Sequence, residues 1–230
     1  MATVTAPRAF VLWDSTVGKK ILMAVTGLIL YGFVIGHMVG NLKVYMGSAA
    51  FNHYAEGLRT LGGPFFAKGQ LLWLVRLVLI ASVLVHITAA LNLWLKSRRA
   101  RRHGYKKYDG LEFSYASRTM FWGGVALVAF IVFHLLDLTF GSLNPAFIPG
   151  DAYHNFVASF QRLPVSIAYS AAMIPLGLHL YHGFWSMLQT LGANNPKYNR
   201  FRRPIAGVLA GLIVLGNISF PISVLLGIVK

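Results

Sequence analysis

Five stretches of this chain, roughly 19–41, 70–95, 119–139, 164–191 and 205–229, are apolar and nearly free of charge. Each meets the ~20 residues that a helix needs to cross a ~30 Å hydrocarbon core. Lipid offers the backbone no hydrogen bonds, so only helices and closed barrels can span it. These runs are apolar on every face and far longer than the ~9–11 residues of a barrel strand. The expected fold is an all-α membrane protein: a single domain over residues 1–230, built as a five-transmembrane-helix bundle. The first run is longer than the ~7–15-residue core of a signal peptide, and no small-residue cleavage site follows it, so it is expected to be retained.

Charge gives the orientation. The 230 residues hold 21 Lys and Arg against 6 Asp and Glu, a net charge of +15, while 56% are hydrophobic. Nucleic-acid-binding domains are rarely so apolar, and so hydrophobic a chain does not stay disordered. With the N-terminus inside, the inner segments take Arg8, Lys19 and Lys20, the cluster from Lys96 to Lys107 with Arg118, and Lys197, Arg200, Arg202 and Arg203. That is 15 of the 21 basic residues, and the positive-inside rule then predicts N-terminus inside and C-terminus outside. The basic cluster would attract anionic lipid or dock an acidic partner. There is no cysteine, which excludes disulfides, cysteine-bound zinc, iron–sulfur clusters and thioether-linked haem.

Of the eight histidines, His37, His86, His134, His179 and His182 fall inside the runs, and His53, His103 and His154 fall between them. An ionisable side chain at membrane depth is costly and usually faces the bundle interior. The bland alternative is a neutral imidazole bonded to a neighbouring helix. Here the first four runs each carry at least one. By position along their runs, His37 and His134 lie in the outer half, and His86 and His179 lie at or inside the midplane. Two levels, each fed by two helices, fit planar haem b with two axial histidines. Zinc would want three or four ligands at one depth. A weak repeat supports the pairing. His37 and His86 bracket Phe51-Asn52-His53-Tyr54, and His134 and His179 bracket Tyr153-His154-Asn155-Phe156. Two packed hairpins of this kind set His37 opposite His134 and His86 opposite His179. His182, three residues from His179, lies near the same helix face. It is an alternative ligand, or a propionate or quinone contact.

The run Gly18-Lys19-Lys20 through Thr26-Gly27-Leu28, then His37-Met38-Val39-Gly40-Asn41, resembles the first helix of the cytochrome b membrane anchor of succinate:quinone oxidoreductase. The likeness is to the single-chain, five-helix, two-haem b558 type and extends over all five runs. Phe51-Asn52-His53-Tyr54 also fits, and His179-Leu180-Tyr181-His182-Gly183-Phe184-Trp185-Ser186 is the most specific match. In relatives, the histidine four residues before Gly carries a haem ligand, which selects His179. The resemblance implies an anchor for a flavoprotein subunit and an iron–sulfur subunit in a prokaryotic cytoplasmic membrane. Electrons would pass between succinate and a quinone, menaquinone or ubiquinone, or run in reverse as in a fumarate reductase. It implies that His37 and His134 bind the distal haem, and His86 and His179 the proximal one.

Other positions are open. Glu56 is the acid in the loop after the first run, and relatives use an acid there for quinol protons; its plain reading is a solvated carboxylate beside Arg59. His53 and Asp137 are further candidates for the quinone or its proton. Arg76, Lys19, Lys20, Arg118 and Trp122 are candidate propionate contacts, and Arg76 reads equally as a side chain snorkelling to the interface. Glycines 27, 36, 40, 123, 124 and 183 would admit a macrocycle or a close helix contact. Two competing functions share the same histidines: another di-haem membrane cytochrome, and a His-relay proton or ion transporter.

Overall fold

The computed structural model describes residues 13–100, 115–193 and 195–230, the first four residues of the second stretch by backbone alone. Most of the basic cluster, with His103, and the Arg118 side chain lie outside the described residues. The elements are α1 (Thr16–Asn41) with a 3-10 turn (Leu42–Met46), α2 (Ser48–Thr60), α3 (Gln70–Ala100), and α4 (Tyr115–His134) running into a π-helical turn (Leu135–Thr139). They continue with α5 (Ala152–Phe160), α6 (Leu163–Thr190) and α7 (Pro196–Leu225). Among the described residues, five helices are long and apolar enough to cross a membrane. The fold is the expected all-α bundle.

Local chemistry places the helix ends. Ser15 caps α1 by accepting from the Gly18 N–H at 2.8 Å. The last long helix begins at Pro196, earlier than the expected 205. Asn195 accepts from the Lys197 N–H, and proline suits the first turn, where its missing N–H costs nothing. Lys197, Arg200, Arg202 and Arg203 therefore lie on the opening turns of α7 rather than in a loop. The α2 and α5 helices and the π turn were not expected from hydropathy.

Packing order follows from the contacts. The α1 helix packs on α3, α6 and α7, and α6 packs on α4 and α7. The α3 and α4 helices meet through Trp94 stacked on Phe121, centroids 4.2 Å apart. Four helices thus form a ring in the order α3, α1, α6, α4, with α7 laid outside against α1 and α6. Across this ring α1 faces α4, and α3 faces α6. Directions alternate. Asp14 and Lys96 meet at 3.0 Å, as do Thr26 and His86 at 3.2 Å, so α1 and α3 are antiparallel.

One end of the bundle is capped by α2 and α5. Asn52 donates to Asp151 and accepts from the Tyr153 N–H, both at 2.9 Å. Phe51 packs on Tyr153 and Phe156, and Phe156 on Phe220. Gly40 lies under the Tyr54 ring, where a Cβ would come within 2.6 Å of Cζ. The two aromatic–His segments of the repeat are therefore the two halves of this cap, and Gly40 is the small residue that lets one half close down.

Candidate functional site

The four-helix ring brings the membrane histidines together in two diagonal pairs. His37 of α1 meets His134 of α4 with ring centroids 5.8 Å apart. His86 of α3 meets His179 of α6 at 6.1 Å. Each pair joins helices on opposite sides of the ring. Two metal–imidazole bonds of ~2.0 Å, plus the radius of each ring, require centroids roughly 6 Å apart. Both pairs meet that spacing.

The pairs lie at different depths. Thr26 touches His86, and His37 is eleven residues further along α1. Tyr169 touches His134, and His179 is ten residues further along α6. At 1.5 Å per residue, both helices separate the pairs by about 15 Å. The His37–His134 pair is nearer the capped end.

Hydrogen bonds set the tautomers of two rings. The Thr26 hydroxyl gives its one proton to the Leu22 carbonyl at 2.7 Å. Toward His86 Nδ1, 3.2 Å away, it can only accept. His86 is then the Nδ1–H form, and Nε2 carries the free lone pair that metal binding needs. His134 Nδ1 lies 3.3 Å from the Tyr169 hydroxyl, which donates to Asp137 Oδ2 at 3.1 Å, so the same logic holds. His37 stacks on Phe33, and its Nε2 is 3.3 Å from the Asn41 amide. Among the described residues, the buried Nδ1 of His179 has no hydrogen-bond partner, nor has that of His182.

The other expected residues divide clearly. Asp137 is fully buried and bonded to Ser159, Arg162 and Tyr169. Glu56 is half-exposed on α2, paired with Lys68 at 2.5 Å and Arg59 at 3.0 Å. Hydrogen bonds from Lys68 and then Arg59 hold its carboxyl below the usual range. His53 is exposed on α2. Arg76 is exposed, with its guanidinium over Trp73. Lys19 is buried with its ammonium over Trp13, and Lys20 is exposed. Trp122 and His179 both line a cleft of about 230 Å³ between α4 and α6, floored by Gly123 and Pro175. His182 packs edge-on against Trp185. Gly27 faces His86, and positions 36, 124 and 183 have no side chain or foreign backbone within 4 Å of a built Cβ.

Sequence reasoning missed Thr26, Asn41 and Tyr169 as partners of the histidines. Asn41 was legible, since it is one helical turn from His37. Among the described residues, no three His, Asp or Glu side chains gather where they could hold a metal ion. Comparison with protein-family models, with curated proteins and with solved structures found no match.

Proposed function

We propose that this chain is the cytochrome b membrane anchor of a succinate:quinone oxidoreductase, with His37 and His134 holding one haem b and His86 and His179 a second. The observation that carries the reading is the pair of diagonal histidine contacts, both near 6 Å and at two depths. The residues fit the group. Thr26 and Tyr169 leave Nε2 of His86 and His134 free to ligate, and the buried Nδ1 of His179 has no hydrogen-bond partner among the described residues. His37 would ligate through Nε2, the atom that the Asn41 amide approaches at 3.3 Å. Held between two histidines, each haem b would supply a one-electron redox centre suited to electron transfer rather than oxygen chemistry.

The chain's own residues do the rest. Apolar helices exclude water from both levels, and Trp122 beside His179 is the favoured propionate contact at the inner level. The flavoprotein and iron–sulfur subunits dock on the N-terminal face of a prokaryotic cytoplasmic membrane, where the first turns of α7 bring four basic residues. The succinate and quinone assignments rest on the motif resemblance.

Affinity purification of the full chain from its native membrane tests this. The expected result is a haem-containing complex with a flavoprotein and an iron–sulfur protein that reduces quinone with succinate. A haem-containing chain that purifies with neither partner contradicts the anchor role and leaves another di-haem cytochrome.

A further inference from the structure

Both ends of the His37–His134 contact lie in membrane-spanning helices, and His134 is tied to a charged network. Asp137 follows it by three residues, and the π turn Leu135–Thr139 carries that carboxylate into the interior, fully buried. Widened turns of this kind are rare in helices and concentrate at functional sites. Asp137 receives three donors: Ser159 and Tyr169 at Oδ2, and Arg162 at Oδ1. An ionised carboxylate accepts only, and three donors satisfy it as such. Arg162 is itself pinned, since its other terminal nitrogen donates to the Leu143 carbonyl at 2.6 Å.

Tyr169 connects this network to the histidine. Its ring is buried and packed edge-on against Phe130 and Phe160, at 5.1 and 4.8 Å, and against Phe133 at 5.6 Å. Those contacts fix where the hydroxyl points. Its hydroxyl donates to Asp137 Oδ2 and accepts from the His134 Nδ1–H. At the other level the described residues supply no such network: His86 is held by a neutral threonine, and the buried Nδ1 of His179 has no hydrogen-bond partner among them.

We propose that Tyr169, anchored by Asp137 and Arg162, is a positioning residue for His134: it fixes the ring and tautomer and makes Nε2 a stronger donor to the haem iron of the capped-end level. A hydrogen bond from the far nitrogen raises the basicity of a metal-bound imidazole. A more basic ligand favours the ferric state, so losing the bond raises the reduction potential. The effect is confined to one level. This inference rests on the two-haem reading above.

Redox titration of the purified complex tests it, in the wild type and in Tyr169→Phe, which keeps the ring among its phenylalanines. The expected result is two haems bound in both proteins, with one midpoint potential raised in the variant and the other unchanged. If Tyr169→Phe does not assemble, Tyr169→Met is titrated instead, since it also lacks the hydroxyl and its flexible side chain adapts to the pocket, and the same single shift is expected. Two unmoved potentials in an assembled variant overturn the inference while leaving the haem reading intact. A wild-type protein without haem overturns the reading beneath it.

Discussion

At the scale of single residues, the two hydroxyls that hold histidine rings matter as much as the rings. Thr26→Val keeps the size of the side chain but removes the acceptor for His86 Nδ1. Loss of such a partner typically lowers metal-site affinity ~10–100-fold. Thr26→Val is therefore expected to release one haem of two faster to a haem scavenger, with the other retained. The choice between neighbouring histidines is equally testable. His179→Ala should remove one haem, because His179 is the α6 ring that faces His86. His182→Ala should keep both, since His182 packs on Trp185 instead; a one-haem His182→Ala protein reverses the ligand choice. The depths of these histidines were legible because position along an apolar run is depth. Their hydroxyl partners were not. Thr26 and Tyr169 lie 60 and 35 residues away in sequence, and only packing brings them close.

At the scale of elements, the capped end holds a buried apolar core joined by hydrogen bonds. Val44, Phe51, Phe156, Phe160, Tyr169, Phe220 and Val224 form one buried cluster there. Asn52→Ala removes two hydrogen bonds between α2 and α5, a loss of about 1–3 kcal/mol. Gly40→Ala forces Tyr54 off its site, at a cost of roughly 1–3 kcal/mol. Thermal unfolding in detergent should show both. Acid acts on the same joint. The His154 backbone N–H, and then Asn52, hold the Asp151 carboxyl below its usual range. Its contribution is present above the ordinary carboxylate pKa and fades as pH falls through the lowered one. Amide exchange in α2 and α5 should therefore quicken with acidification, and Asp151→Asn should flatten that dependence. Hydropathy gave no sign of α2 or α5, which are short and lie between the apolar runs. The aromatic–Asn segments did mark their place, because each supplies half of one hydrogen-bonded joint.

At the scale of the whole molecule, five alternating helices put the two histidine levels across one four-helix ring. The five runs were readable from composition, because lipid leaves the backbone so few choices. The weak repeat pointed to the pairing of His37 with His134 and of His86 with His179, but not to the ring order, since that depends on which faces pack, and these runs are apolar all round. Orientation is open to direct test, because the chain has no cysteine to interfere. Ala146, in the loop before α5 at the capped end, and Ala193, just past the C-terminus of α6, are both exposed and lie at opposite ends of the bundle. With the N-terminus inside, Ala146→Cys should react with a membrane-impermeant maleimide in intact cells, and Ala193→Cys only after lysis. The most direct test of the two-haem arrangement is haem stoichiometry with the reduced-minus-oxidised spectrum of the purified full chain. Two haem b per chain with a low-spin α-band is the predicted result. A colourless protein would contradict it and leave the paired histidines to a proton- or ion-relay role.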